Sequence, residues 1–304
     1  MKILKNSFQL GTIVFVLLLF SCVIPTNHTK ENGPNSKTSN LIMAEKLLPL
    51  TSLETKVFPD DGFIHRNGST SVFMWPVDLP VVDHKANSIM ARMTLLQYQA
   101  GGGIDVRSYS QVREQAFYVL EGEARFLLGE SIKKVSSGDL IFVPSEVKHS
   151  YEVIGNVPLK MILMEWRNDS GSNARLLQGT LVSERLKPLR RLTSEEAGGH
   201  QGISASLFVT PRDYPVLKAN SSMAWIALQQ YDADPNLKAT SVHTHDNQEQ
   251  VFYIVEGKAR FQLGEVEQDV GPGELVFAPR HVKHGYKVLG PSPVKWLMIA
   301  WSGE

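Results

Sequence analysis

Three histidines give this chain of 304 residues its most specific chemical signal. His243 and His245 are separated by one residue, and His284 follows 39 residues after His245. Because residues i and i+2 of a β-strand point to the same face, the first two side chains can reach one point in space. Imidazole is the commonest side-chain metal ligand, and three imidazoles with one oxygen ligand suit Fe, Mn, Ni, Cu or Zn. The spacing therefore predicts a site for one divalent transition metal.

The residues around these histidines form two motifs. The first consists of His243, His245, Gln250 and Gly257, and the second of Gly273, Pro279 and His284. Together they resemble the two motifs of the cupin superfamily, which implies a small antiparallel β-barrel with the metal inside its mouth. The resemblance also implies that Gln250 is the fourth ligand, through its amide oxygen. Glu249 is the alternative, since consecutive strand residues face opposite sides and only one of the two can point inward.

An internal duplication organises the rest of the chain. Residues that recur 135 positions later include Phe73, Pro76, Asp78, Glu114, Gln115, Gly122, Gly138, Pro144, His149 and Trp166. Further upstream, the sequence Leu47-Leu48-Pro49-Leu50 resembles Leu186-Lys187-Pro188-Leu189, at an offset of 139. The copies are therefore predicted to run from 47 to 184 and from 185 to 304.

Each copy has the pattern of an all-β domain. The sequences AFYVLEGEARFLLG and VFYIVEGKARFQLG are pairs of apolar runs broken at Glu-Gly, as expected of two strands that meet at a turn. Many short strands at close spacing are typical of a sandwich or barrel. With the resemblance, this predicts two tandem cupin domains, each a jelly-roll β-barrel. The balance of 31 basic and 31 acidic residues, with no basic stripe, argues against a nucleic-acid partner.

The first residues have the composition of an export signal. Lys2 and Lys5 precede an apolar run that is too short to span a bilayer, so residues 1–21 are predicted to be a signal peptide. Cys22, the single cysteine, ends a segment that resembles a bacterial lipobox, in which the cysteine is lipidated. An ordinary cleaved signal is the alternative. Residues 22–46 are expected to form a flexible tether, and the protein to be periplasmic or on the cell surface, attached to the membrane through lipid.

The two copies differ at the metal motif. The first copy keeps Gln115 and His149 but has Ser108 and Ser110 where the second has His243 and His245. Because serine hydroxyls are poor ligands for divalent transition metals, a metal is expected in the second copy alone. His149 is then a hydrogen-bonded structural histidine or part of a small polar pocket that binds a ligand without metal. The triple glycine 101–103 is interpreted as a flexible loop.

Strand alternation suggests the walls of the second site. Phe252 lies on the same face as Gln250, and Tyr286 on the same face as His284. Arg260 is a further pocket candidate whose facing the sequence does not fix. His200 and His281 are weaker candidates for the site.

These patterns favour a metal-dependent enzyme that acts on a small organic molecule outside the cytoplasm, most simply a dioxygenase-type oxidoreductase. A non-redox enzyme is the alternative, and it resembles the bicupin ureidoglycine aminohydrolases; an isomerase or a lyase belongs to the same class. A third hypothesis is a lipoprotein that binds a small molecule such as a sugar acid without turnover. A covalent pair of barrels can satisfy the contact through which single cupins dimerise, so both a monomer and a homodimer are compatible with the sequence.

Overall fold

The computed structural model describes residues 42–44, 51–52, 65–74, 88, 91–104, 113–167, 179–197, 200–211, 224–234 and 242–302. Within these ranges the chain forms β-strands and turns with no α-helix. No helix in the described part of the chain is long and apolar enough to cross a membrane. The predicted signal peptide, Cys22, Ser108 and Ser110 lie outside the described residues.

The first barrel is one ten-stranded sheet with antiparallel pairing. Its strands are β2 Thr51–Ser52, β3 His65–Met74, β4 Ala91–Ile104, β5 Arg113–Glu121, β6 Glu123–Leu128, β7 Ser131–Ser136, β8 Asp139–Val143, β9 His149–Val153, β10 Leu159–Arg167 and β11 Thr180–Ser183. They lie in the order β11-β8-β5-β10-β4-β9-β6-β7, with β3 paired to β4 and β2 paired to β3. Alternation places apolar side chains inside, as in β6, where Ala124 and Phe126 are buried and Arg125 is exposed.

The second barrel consists of a seven-stranded sheet and a three-stranded sheet. The larger sheet contains β1 Ile42–Ala44, β12 Arg190–Arg191, β13 Ile203–Val209, β14 Ala224–Tyr231, β15 Gln248–Glu256, β18 Glu274–Ala278 and β20 Val294–Ser302, in the spatial order β1-β18-β15-β20-β14-β13-β12. The smaller one contains β16 Lys258–Leu263, β17 Val266–Val270 and β19 His284–Leu289, in the order β17-β16-β19.

The turn between β15 and β16 explains the glycine of the first motif. Gly257 has φ +75°, and a Cβ at this position would lie 2.2 Å from the carbonyl oxygen of Pro293. Only glycine fits both the left-handed backbone and the close approach. Gly122, with φ +79°, occupies the same turn in the first barrel.

The outermost strands are exchanged between the barrels. β1 precedes the first copy but pairs with β18 of the second, with Ala44 opposite Glu274. β11 precedes the second copy but pairs with β8 of the first, with Ser183 opposite Asp139. Residues 42–44, within the predicted tether, form this strand, and the extent of the tether stays a prediction.

A shared hydrophobic core joins the two larger sheets. It contains Phe73 and Trp166 from the first barrel and Phe208 and Trp301 from the second. The indole rings of Trp166 and Trp301 lie 6.5 Å apart within it. Separate clusters fill the interior of each barrel. The predicted all-β fold with two tandem jelly-roll domains is thus confirmed, while the exact boundaries at 47, 184 and 185 stay predictions.

The triple glycine is not a loop. Gly101–Gly103 form the end of β4, where Gly103 pairs with Arg66 and with Glu152. Gly103 has φ +148°, and a Cβ there would lie 2.1 Å from the carbonyl oxygen of Tyr151. The glycines allow this strand to approach the backbones of both neighbouring strands closely. The composition of the segment does not distinguish this role from that of a flexible loop.

Candidate metal centre

A backbone bridge brings the two histidine motifs together. The amide of His243 donates to the carbonyl oxygen of His284 at 3.0 Å, and the amide of His284 donates back at 2.9 Å. Residues directly opposite in an antiparallel pair project their side chains to the same face. A further hydrogen bond, from the amide of His281 to the carbonyl oxygen of His245 at 2.9 Å, joins the second motif to the second histidine of the first motif.

The three imidazoles converge as the sequence predicts. Ligand nitrogens of His243, His245 and His284 all lie within 4.8 Å of one another. Two nitrogens bound to one ion at about 2.1 Å are at most about 4.2 Å apart, so small side-chain rotations suffice to close the trio around a metal. The residues present therefore fit a divalent ion.

Burial keeps two of these imidazoles neutral. Desolvation lowers the pKa of His284 to about 3, assisted by the neighbouring histidines and opposed by its hydrogen bond to Val282. Desolvation likewise lowers the pKa of His245 to about 4. Both side chains therefore offer nitrogen lone pairs at neutral pH without first losing a proton.

Gln250 completes the cluster. Nδ1 of His284 lies 3.0 Å from the carbonyl oxygen of Val282, and its Nε2 lies 3.0 Å from Oε1 of Gln250. A neutral imidazole has only one N–H group, which the carbonyl requires, so the Nε2 lone pair and the amide oxygen face each other as two acceptors. The amide nitrogen of Gln250 donates to Gln248 at 2.9 Å, which orients the oxygen toward His284. Two converging acceptors are a suitable environment for a cation.

Glu249 points away from the histidines. Its carboxylate accepts a hydrogen bond from Ser88 at 2.6 Å in the buried region between the barrels, and only 3% of the residue is exposed. Of the two residues considered for the fourth ligand, the structure therefore places Gln250 at the site.

One segment in each half of the chain matches a known domain: residues 94–165 and 231–300 fit the model of the cupin domain. The chain contains two cupin domains. A curated protein of Methanocaldococcus jannaschii, uncharacterised, is 34% identical over 65 residues, which are 21% of this chain and 52% of that protein. The chain thus matches about half the length of that relative.

Solved structures share the two-domain cupin fold over nearly the whole chain. The putative glyoxylate-induced protein of Pseudomonas aeruginosa superposes with a TM-score of 0.65 at 14% identity, covering 90% of this chain and 96% of that one. The protein Ylba of E. coli gives a TM-score of 0.59 at 12% identity, covering 88% and 95%. A mutant of Bacillus subtilis oxalate decarboxylase gives 0.56 at 14% identity, covering 90% and 79%.

His200 lies beside the histidine cluster of the second cupin domain, although the sequence made it only a weak candidate for the site. Its ring lies 5.9 Å from that of His243 and 6.3 Å from that of Tyr286. Burial lowers its pKa, and the charge of His243 adds to this effect. The duplication could have identified His200, because His65 occupies the same position 135 residues earlier. In the first barrel, His65 forms a hydrogen bond with Tyr98 at 2.5 Å.

Aromatic side chains form the wall below the histidines, as predicted for Phe252 and Tyr286. The ring of Phe252 lies 6.4 Å from that of His284 and 6.2 Å from that of Tyr286. The hydroxyl of Tyr286 donates a short hydrogen bond to Tyr231, so the two phenols satisfy each other inside the barrel. The centre thus has a polar rim and a largely apolar floor.

Arg260 was wrongly assigned to the pocket. It lies on the solvent face of β16, where its guanidinium pairs with Asp269 at 2.6 Å, and its neighbour Phe261 faces the interior. His281 also lies outside the cluster: it has φ +61°, its side chain is exposed, and it lies 3.4 Å from the carboxylate of Asp246.

The first cupin domain keeps part of this arrangement. His149 is fully buried, its Nδ1 lies 3.1 Å from the carbonyl oxygen of Val147, and its ring stacks on Phe126 at 6.2 Å. Gln115 donates to Glu165 at 2.6 Å. The tyrosine pair recurs as well, with Tyr151 donating to Tyr98 at 2.8 Å.

Proposed function

We propose that the second cupin domain binds one divalent transition metal through His243, His245, His284 and the amide oxygen of Gln250. We further propose that this centre belongs to an enzyme that acts on a small anionic organic molecule, with dioxygenase-type oxidation as the reaction. The observation that carries the proposal is the convergence of three ligand nitrogens within 4.8 Å, with Oε1 of Gln250 3.0 Å from one of them.

The charge of the ligand set supports an anionic substrate. Three neutral imidazoles and an amide add no negative charge, so a bound ion keeps its full 2+ and attracts a carboxylate or enolate oxygen. Fe, Mn, Ni, Cu and Zn all accept such ligands. Among the structural neighbours, the Bacillus subtilis oxalate decarboxylase has Mn(II) centres and is named for a small dicarboxylate, which is a substrate of the same chemical class.

The surrounding residues give each part of the site a role. When bound, the metal would supply open coordination positions for substrate and O2. Phe252 and the tyrosine pair form a wall that excludes water from the substrate. His200, on the same side as Tyr286, is placed to donate a hydrogen bond to a substrate oxygen.

Metal analysis tests the first step. Protein purified without chelators should contain one metal per chain, and His243→Ala should lose it while keeping its far-UV circular dichroism. His281→Ala is the matched control, because His281 is exposed and outside the cluster. Equal metal content in the wild type and in His243→Ala would refute the site.

Oxygen consumption tests the second step. Protein reconstituted with Fe(II) should consume O2 with a member of a panel of catechols, diketones and flavonoids, and His243→Ala should not. A non-redox hydrolase, isomerase or lyase is the second candidate, favoured by His200, whose imidazole lies beside that of His243 and is of a type that suits proton transfer. Turnover that continues without O2 would support this candidate, and tight binding without any turnover would indicate a binding protein.

Export with a lipid anchor at Cys22 also remains a proposal, supported by the residues around that cysteine. Expression in a bacterial host with labelled palmitate should label the wild type and not Cys22→Ser. Labelling of neither protein, together with recovery in the soluble fraction, would contradict the anchor.

A further inference from the structure

The imidazole of His200 has nitrogen atoms available for a ligand beside the metal-binding histidines. Its ring lies next to those of His243 and Tyr286, and its backbone amide donates to the carbonyl oxygen of Ala197 at 3.1 Å. The ring nitrogens form no hydrogen bond with any residue that the structure describes. Because His200, His243 and His245 are each partly exposed, small molecules can reach this side of the cluster from the solvent.

The first barrel has a histidine at the corresponding position that a tyrosine holds in place. Nδ1 of His65 lies 2.5 Å from the hydroxyl oxygen of Tyr98, and the hydroxyl of Tyr151 donates to the same oxygen at 2.8 Å. His65 is buried, with 8% of the residue exposed. The imidazole of the first barrel is therefore part of a hydrogen-bonded chain inside the barrel.

The second barrel has the same three residue types but not the same chain. Tyr231 corresponds to Tyr98, since the pairing of β14 with β20 repeats the pairing of β4 with β10. The hydroxyl of Tyr286 donates to Tyr231, as in the first barrel. Among the described residues, however, no hydrogen bond joins Tyr231 to His200.

The start of the strand accounts for this difference. β3 begins at His65, whose backbone pairs with Ile104, so its ring is fixed where it reaches the tyrosine. β13 begins at Ile203, and His200 lies three residues before it, outside the sheet. The imidazole is thus bound to a tyrosine in the first barrel and available beside the three metal ligands in the second.

The position of His200 suits contact with a metal-bound molecule rather than with the metal. It is not a member of the group whose ligand nitrogens lie within 4.8 Å of one another. An imidazole has at least one N–H group whether or not it is protonated, so it can donate a hydrogen bond in either state. Donors that border a metal centre in this way orient the molecule that the metal binds.

We propose that His200 selects the molecule bound at the metal centre by donating a hydrogen bond to an oxygen that the metal does not bind. The substrate class is then organic anions with two neighbouring oxygen atoms, such as carboxylates, catecholates and 1,3-diketonates. The metal binds one oxygen, and His200 binds the other. This inference rests on the proposed function and adds to it the substrate class and the residue that recognises it.

The test measures anion binding to the full-length protein loaded with Co(II), whose visible absorption bands change when an anion binds. Benzoate is the anion with two neighbouring oxygens. Pentafluorophenolate is the control anion, because it has a ring of similar size and a single oxygen. The measured quantity is the change that each substitution makes in the affinity for each anion, so the intrinsic affinities of the two anions for the metal do not enter.

Substitutions at His200 separate its hydrogen bond from its shape. His200→Phe keeps an aromatic ring and removes both nitrogens, and it should weaken benzoate binding at least about tenfold, as expected for a hydrogen bond to a charged acceptor. The binding of pentafluorophenolate should not change. His200→Gln supplies an N–H donor again and should recover most of the affinity for benzoate. His281→Phe is the matched control, because His281 is exposed and outside the cluster, and it should affect neither anion.

Three results would overturn the inference. The first is that millimolar benzoate does not bind to the Co(II)-loaded wild type, and the second is that it binds equally well to Co(II)-loaded His200→Phe. The third is an equal loss for both anions, which would mean that His200 does not recognise a second oxygen. Absence of the Co(II) bands in the wild type is a separate outcome, which would refute the metal centre itself and, with it, the basis of this inference.

Discussion

Metal binding by the second cupin domain should release few protons even in mild acid. A metal binds the deprotonated imidazole, so each histidine ligand that is protonated in the metal-free protein releases one proton on binding. An ordinary histidine, with a pKa of about 6.5, is about 90% protonated at pH 5.5 and would weaken the metal affinity about tenfold. Three ordinary histidines would release nearly three protons under these conditions.

The structure predicts a smaller number. With the pKa of His284 at about 3 and that of His245 at about 4, at most a few per cent of either is protonated at pH 5.5. These two ligands then cause no loss of affinity, where two ordinary histidines would cause a loss of about 100-fold, or about 2.7 kcal/mol. The most that His243 can contribute is one proton. The expected release at pH 5.5 is therefore one proton or fewer.

Calorimetry measures this number directly. Zn²⁺ is titrated into metal-free protein at pH 5.5 in two buffers with different enthalpies of protonation, and the difference in apparent enthalpy gives the proton count. The same titration at pH 7.5 is the control, because ordinary histidines are largely neutral there. A release of two or more protons at pH 5.5 would show that burial does not keep His245 and His284 neutral before the metal binds.

Three further predictions distinguish the residue that binds the metal beside the three histidines from neighbours that do not bind it. Gln250→Glu places a carboxylate beside the metal and should raise the affinity for Zn²⁺ about tenfold, about 1.4 kcal/mol, in a competition assay with a chelating dye; weaker binding would contradict Gln250 as a ligand. Glu249→Ala removes the buried hydrogen bond between Ser88 and Glu249 and should lower the free energy of unfolding in urea by about 1–3 kcal/mol with the metal content unchanged. A loss of metal in this variant would return Glu249 to the site. Arg260→Ala removes an exposed ion pair with Asp269 and should change neither the melting temperature nor the metal content; a loss of metal would show that Arg260 reaches the centre after all.

The sequence was sufficient for the features that depend on spacing. His243 and His245 were expected on one face of a strand because strands have a period of two, and His284 because the two motifs resemble those of the cupin superfamily. In the structure His243 and His245 precede β15, which begins at Gln248, and His243 forms only an isolated bridge. The structure adds the reason that the motifs meet, namely the backbone bridge between His243 and His284. The duplication was visible because glycine and proline positions recur at a fixed offset.

Features that depend on the facing of isolated residues were less predictable. Arg260 lies on the solvent face of β16 because its neighbours Ala259 and Phe261 are both buried, and the sequence did not fix which face of this strand turns inward. His200 lies far in sequence from the two motifs, and its contact with Tyr286 depends on how β13 approaches the barrel mouth. Only the repetition of His65 at the same offset could have indicated it.

The exchange of β1 and β11 makes the two halves unequal as separate molecules. A fragment of residues 47–184 would carry its own outer strand, since β11 belongs to its chain and caps β8. A fragment of residues 185–304 would lack β1, and the hydrogen-bonding groups along one side of β18 would face solvent. Open strands of this kind pair with other chains, so the C-terminal fragment is expected to associate through this edge in addition to the apolar surface that both fragments would expose when the shared core is divided.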